Sequence, residues 1–197
     1  MRLITQTHLS LDGVMQGPGG ADEDRGGGFT RGGWAGAGDD EVGTHIVSTY
    51  RNAAAFLLGR HTYDIFAPYW SVRGDSNPIA AALNGRPKYL VSTTVLEPDW
   101  AGTTTLTGDL AAAIRALKDS GDGDLLVPGS SVLVRWLLAH DLVDALELLS
   151  YPVLVGQGAR LFPTNGPDLA LESIRTTVTA GGSVIRRLRP LGRPRYA

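Results

Sequence analysis

The chain has 197 residues, 43% of them hydrophobic, no cysteine, and a formal net charge of −2. That length fits one domain over residues 1–197 with a core that needs no covalent staples. The missing cysteine excludes disulfides, thiolate catalysis and cysteine-ligated zinc, and the balanced charge gives nucleic-acid binding no electrostatic source.

Arg2 to Leu9 reads as a strand. No apolar run near it is long enough for a signal peptide or a membrane span, so a cytoplasmic location without a membrane partner is expected. Gly17 to Asp39, with GPGG, RGGG, RGGW and AGAG, reads as a long Gly-rich loop. Loops of that length are lids, binding loops or disordered segments. Trp34 within it either anchors the loop to the core or covers a ligand.

Glu41 to Ala54 carries Val42, Ile46, Tyr50 and Ala53 at helical spacing. AFLLG then predicts a short buried strand and RHTYDIF the start of a helix. PKYLVST predicts a strand whose first position tolerates Pro87. Asp109 to Lys118 predicts a helix capped by Asp109, DLLVPG a strand, and Ser130 to His140 a helix. ALELLSYPVLV, LALESIRTTVT and SVIRRLRP follow as strands with no helix between them. Pro152 and Gly156-Gln157-Gly158 fit strand-edge and hairpin chemistry. The arginines from Arg186 to Arg195 read as a solvated edge. The pattern is βαβ-like first and antiparallel last. It predicts an α/β fold of three layers, a mixed, mostly parallel sheet with helices on both faces and a C-terminal antiparallel hairpin.

Ligands of such sheets sit beyond the carboxyl ends of the parallel strands. Three of those ends carry phosphate-friendly residues. The first has Gly59, Arg60 and Thr62: close backbone approach, a guanidinium fork and a hydroxyl on a helix's first turn. The second has Ser92, Thr93 and Thr94. The third has Pro128, Gly129, Ser130 and Ser131 immediately before a helix, where free N–H groups suit a pyrophosphate, although capping alone also explains the serines. Together they suggest one elongated anionic ligand, such as a dinucleotide. Neither GxGxxG with its acidic partner nor GxxxxGKS is present.

On SLDGVM, LLGRHTYDIF, NGRPKYLVSTTV and the run from VPGSS to ARLF, the chain resembles the dihydrofolate-reductase-like superfamily. More closely it resembles the reductase domain of riboflavin-pathway deaminase-reductases and their stand-alone bacterial relatives. The resemblance implies NADPH as cofactor and hydride transfer to a pyrimidine, pterin or related heterocycle, as in the 5-amino-6-ribosylaminouracil phosphate reductases. It also implies a homodimer, expected here through the C-terminal strands and Leu146 to Val155. Val14 falls in a loop, Leu11 to Met15, that resembles the mobile loop flanking the nicotinamide. Arg60 and Thr62 resemble phosphate ligands, and Ser92 and Thr93 resemble contacts to the adenosine ribose and 2′-phosphate. Gly129, Ser130 and Ser131 resemble the diglycine turn over the pyrophosphate.

Three positions depart from the family pattern. Ser130 replaces a glycine, which is tolerable if its φ stays negative. Val132 stands where an arginine often follows the turn, which removes a partner for a 2′-phosphate and weakens the preference for NADPH over NADH. Ala145 stands in for a glutamate. Lacking cysteine, the chain has no PCxxC zinc site of a deaminase.

Asp40, or its neighbour Glu41, is the candidate substrate carboxylate at the first long helix, where the helix dipole alone also favours acids. Asp12 is either a turn former or a ligand contact. His8, His45, His61 and His140 lack metal-ligand spacing, so no metal is expected. The alternatives to an NADPH-dependent reductase are a non-catalytic nucleotide-binding or dimeric interaction module on the same fold, or a flavin-type cofactor in the same groove.

Overall fold

The computed structural model describes residues 1–36, 39–164 and 168–196. Ala37 and Gly38 of the expected Gly-rich loop lie outside the described residues. The elements in chain order are β1 (Arg2–Ser10), α1 (Asp40–Asn52), β2 (Ala53–Gly59), α2 (Arg60–Trp70), α3 (Pro78–Gly85), β3 (Lys88–Val91), β4 (Thr103–Leu106), α4 (Leu110–Asp119), β5 (Asp124–Pro128), α5 (Ser131–Ala139), β6 (Ala145–Tyr151), β7 (Leu171–Val178) and β8 (Val184–Pro190).

The eight strands form one sheet in the order β4-β3-β2-β5-β1-β6-β8-β7. Every pairing from β4 through β6 is parallel, and β8 pairs antiparallel with both β6 and β7. The parallel strands β2 and β5 read as apolar runs because both of their faces are covered. Successive side chains alternate between the two faces. In β5, Leu125 and Val127 join the cluster under α4 and α5, with Ile114, Leu133 and Leu137. Leu126, between them, joins the opposite cluster with Tyr50, Phe56, Tyr63 and Leu83 from the α1–α3 side.

Two elements escape the sequence pattern. The first is α3, although its start is marked: Asn77 accepts from the Ile79 and Ala80 amides and Pro78 opens the helix. The second is β4, a four-residue threonine-rich edge strand with no apolar alternation to reveal it. Helix boundaries also move. Ala53 begins β2 rather than continuing α1, and α5 begins at Ser131 because Ser130 is left-handed.

Lys88 is fully buried. Its ammonium donates to the carbonyls of Leu83 at 2.7 Å and Arg86 at 3.1 Å, capping the end of α3 with positive charge, and lies 4.8 Å from the Trp100 ring centroid. Burial lowers its pKa to about 8.

The strand expected to run on to Val155 stops at Tyr151, and Gly156-Gln157-Gly158 closes no hairpin. Pro152 offers no N–H to a ladder, and the amides of Val155 and Gly156 donate to the Asp12 carboxylate instead, at 3.0 and 2.9 Å. Gly158 has φ +111, and a Cβ there would meet the Phe29 ring at 2.8 Å. That packing closes a small cluster of Val14, Phe29 and Val155, so the Gly-rich loop has an apolar anchor of its own. Among the described residues no helix is long and apolar enough to cross a membrane.

Candidate functional site

The parallel strands β2, β3 and β5 end at one edge of the sheet, over a cavity of about 1670 Å³. A single small ligand fills roughly 300–1,000 Å³, so this volume suits two ligands or one very long one.

One end of the cavity is built from the three strand ends. Gly129 and Ser130 both have φ +57, so the turn from β5 into α5 runs through consecutive left-handed residues. The negative φ that would make a serine tolerable at Ser130 is not observed. A serine there is strained by roughly 1–2 kcal/mol, and its side chain offsets the cost. Ser130 Oγ donates to Thr62 Oγ1 at 2.8 Å and accepts the Gly59 amide at 3.1 Å. A Cβ at Gly59 would lie 3.3 Å from that hydroxyl, so the glycine lets β2 and the β5 turn close on each other.

Helices α1, α3 and α4 are each capped by a side chain, from Asp39, Asn77 and Asp109. Helices α2 and α5 have no side-chain cap among the described residues. Ser130 occupies the N-cap position of α5 but spends its hydroxyl across the turn, and Ser131 lies inside the helix. Of the helices whose first residues line the cavity, α2 and α5 are the two whose first-turn N–H groups lack a side-chain cap, whereas α4 is capped by Asp109 and α3 by Asn77.

Arg60 opens α2, half-exposed, with its guanidinium 2.5 Å from Asp64. Ser92 Oγ accepts from the Thr94 and Val95 amides at 3.1 and 2.9 Å and shapes the turn after β3, on which Thr93 is exposed. Val132 stands exposed on the rim. Gly59, Arg60, Thr62, Ser92, Thr93, Gly129, Ser130, Ser131 and Val132 all line this one cavity.

The other end lies between β1, α1, α2 and the Gly-rich loop. Its walls are apolar and aromatic, with Ile46, Tyr50, Phe66, Trp70 and Ile79. Gln6 and His8 of β1 and Tyr151 of β6 bring polar groups to it. His8 Nδ1 lies 2.8 Å from the Tyr151 hydroxyl and the rings stack at 5.7 Å. Burial pushes the His8 pKa down to about 4, so the imidazole is neutral at physiological pH. Burial, and then the charge of Asp39, push the Tyr151 phenol up to about 12. The sequence reading missed this end. Its signals were the polar side chains Gln6 and His8 within a largely buried strand.

Gly17 to Gly20 and Asp22 to Asp24 form a wall. His61 on α2 lies 2.8 Å from Asp24 and ties this wall to the helix. Burial opposes ionisation of Asp24, but hydrogen bonds from His61, the Gly26 amide and Gln16 outweigh it and lower its pKa. Trp34 anchors the loop rather than lining the cavity. Its indole N–H donates to the Gln16 carbonyl at 2.6 Å, and its ring meets Tyr151 edge-on.

Three expected site residues fall outside the cavity lining. Asp12 accepts from Ser10 Oγ at 2.7 Å and from the Val155 and Gly156 amides, with Arg160 at 3.3 Å. Those hydrogen bonds, the one from Ser10 foremost, hold its carboxyl well below the usual range. Val14 is fully buried and bridges to Arg160, while its neighbour Met15 does line the cavity. Asp40 is exposed on the first turn of α1. Its neighbours Asp39 and Glu41 are turned to the β7–β8 connection, where they accept from Thr179 Oγ1 at 2.5 Å and the Ala180 amide at 3.1 Å.

The sequence profile of the RibD C-terminal domain matches residues 2–185. The chain belongs to the RibD C-terminal domain family. The chain is similar to the Bacillus subtilis (strain 168) protein YyaP, 22% identical over 186 residues that cover 93% of this chain and 92% of YyaP. A crystal structure of a Shewanella sp. PV-4 protein ascribed to riboflavin biosynthesis matches with TM-score 0.72 and 21% identity, covering 96% of this chain and 99% of that one. Dihydrofolate reductase from Enterococcus faecalis, complexed with NADP(H) and RAB-propyl, matches with TM-score 0.60 and 16% identity over 96% of both chains. The fold is therefore dihydrofolate-reductase-like, and the family supports a reductase-type role.

Proposed function

We propose that this chain is a single-domain, cytoplasmic, NADPH-dependent reductase that delivers hydride to a flat heterocyclic substrate. The observation that carries the reading is the pairing of two uncapped helix starts with Arg60 at one end of a two-ligand cavity. Helix N-termini bind anions through free N–H groups and the helix dipole. A dinucleotide presents its pyrophosphate to such a place.

In this reading the Gly129–Ser131 turn and the first turn of α5 hold the pyrophosphate. Arg60 and the first turn of α2, with Thr62 in it, hold phosphate, and Ser92 and Thr93 meet the adenosine end. Val132 brings no charge, so the preference for NADPH over NADH is moderate. Val14 acts from below the surface by fixing Met15 beside the nicotinamide, and Asp12 acts by locking that same loop to the chain after β6. The dinucleotide supplies the hydride, while the protein supplies orientation and exclusion of water. The Enterococcus faecalis relative bound to NADP(H) supports this choice of cofactor.

Turnover separates this reading from a binding module on the same fold. We expect NADPH absorbance to fall when pyrimidine or pterin heterocycles are added to enzyme and cofactor. Cofactor binding without oxidation across such a panel would reject catalysis.

We further propose a homodimer through the exposed β7 edge, where Ile174 and Val178 are 52% and 67% exposed. Light scattering should give twice the 20.9 kDa chain mass. A monomer mass at all concentrations would reject it.

A further inference from the structure

We propose that a polar pocket beside α1, built on Arg175 and Arg187, binds the oxyanion group of a small molecule, a phosphate or a carboxylate. It is a second site, apart from the large cavity.

The register of the last three strands sets up the charges. Arg187 on β8 stands directly opposite Glu147 on β6 and directly opposite Arg175 on β7. Residues so paired share a face, and like charges among them repel. Glu147 is 2% exposed, and its carboxylate is hydrogen-bonded to His45 Nε2 on α1. Among the described residues neither Arg175 nor Arg187 makes an ion pair. The arginines from Arg186 to Arg195 are exposed except Arg187, which is half-buried. A half-buried guanidinium directly opposite another is unfavourable unless an anion answers both.

Both arginines line a pocket of about 210 Å³ between these strands, α1 and the start of β5. A drug-sized ligand needs roughly 300–1,000 Å³, so this volume suits a smaller one. Guanidiniums hold phosphate and carboxylate through paired N–H groups. Ser48 on α1 accepts from the Asn52 amide at 3.4 Å and keeps its own proton to donate.

The negative groups around the pocket are already answered. Glu147 has His45, and Asp124 has Arg2 at 2.8 Å. At the end of α1 the Ala53 amide takes the carbonyls of Thr49 and Tyr50, and Arg86 takes that of Arg51 at 2.6 Å. Among the described charges lining the pocket, the two arginines are left without a counterpart. Asp124 begins β5 and Gly129 follows its end, so the pocket lies roughly 15 Å along the strand from the Gly129–Ser131 turn. A second copy pairing along β7 would use the backbone groups of that edge and leave this face to the pocket.

The test is an NMR titration of the nitrogen-15-labelled protein with sodium phosphate and with sodium malonate, against sodium chloride at matched ionic strength. The two probes separate a phosphate ligand from a carboxylate one, and saturable binding of either supports the site. We expect the amide signals of residues 45–52, 175 and 187 to shift, with half-saturation at about 1 mM. Arg187→Gln should weaken that binding at least tenfold, or about the worth of one charge-assisted contact. Arg175→Gln should weaken it in the same direction. In a low-salt zwitterionic buffer Arg187→Gln should be at least as stable to urea as wild type, because it removes a like-charge pair. Shifts no larger than those with chloride, shifts confined to residues 59–62 and 129–132, or undiminished binding in Arg187→Gln would each overturn the proposal. A lower urea midpoint for Arg187→Gln in that buffer, or its failure to fold, would also overturn it, by making the arginine a structural partner of Glu147.

Discussion

Ser130 Oγ donates to Thr62 Oγ1 at 2.8 Å, joining the end of β5 to the first turn of α2 across 68 positions of chain. The same oxygen accepts the Gly59 amide, so one hydroxyl fixes both uncapped helix starts relative to each other. The left-handed backbone at Ser130 is what aims it there.

Two substitutions separate the hydroxyl's contribution from the backbone's. Ser130→Ala keeps the unfavourable φ and loses both hydrogen bonds, and should lower stability by about 1–3 kcal/mol. Ser130→Gly loses the same bonds but relieves roughly 1–2 kcal/mol of strain. Urea denaturation midpoints should therefore rank wild type first, glycine second and alanine last. Alanine as stable as wild type would mean that the hydroxyl contributes nothing to the turn.

Arg60 should matter to ligand and hardly to fold. Its pair with Asp64 is half-exposed, and such pairs contribute at most about 1 kcal/mol. Arg60→Ala should leave the melting temperature nearly unchanged while weakening NADPH about ten- to a hundredfold. Asp64→Asn frees the guanidinium and should strengthen NADPH a few-fold. A parallel loss of stability and affinity in Arg60→Ala would make the residue structural.

The neutral His8 sets a pH dependence with a definite sign. Its folded pKa is about 4, against 6.5 for the free side chain. Between those values the unfolded chain takes up a proton that the folded chain refuses, so stability is lost as pH falls from 6.5 to 4. The loss from this residue is roughly 2 kcal/mol once partial solvent exposure is allowed for. His8→Phe should flatten that limb of the stability–pH curve. By NMR, the His8 ring should not titrate above pH 5 or so. A ring titrating near the ordinary histidine value would remove the effect.

Lys88 acts in the opposite pH range. Its pKa is lowered by burial from 10.5 to about 8. The unfolded chain therefore binds the extra proton between those values, and stability rises as pH climbs from 8 towards 10.5. The difference in stability between wild type and Lys88→Met should show that rise. A difference independent of pH would mean that the ammonium is not desolvated in the folded protein.

The sheet and most helices were legible because their signals are local. Period-two alternation is lost in strands buried on both faces, but such strands still read as apolar runs, as in AFLLG and DLLVPG. Asp109 announced its helix by capping chemistry and is found capping α4. The edge strand β4 had no such signal, being short and polar. The first end of the cavity was legible for the same reason: its residues follow strand ends directly, and the sheet gathers them. The second end was not. Gln6, Tyr50, Phe66 and Tyr151 come from four elements, and only the packing of α1 and α2 across the sheet brings them together. Asp12 and Asp40 show the converse limit. An acid near a turn or a helix start looks chemical in sequence, whereas here Asp12 organises a loop and Asp40 is exposed outside the cavity lining.

Calorimetric titration of the purified protein with NADPH, alongside NADH, tests the central claim most directly. The account predicts one site per chain, micromolar or tighter affinity for NADPH, and NADH weaker by about tenfold. An absence of heat at about 1 mM NADPH, or equal affinity for the two dinucleotides at low salt, would contradict it.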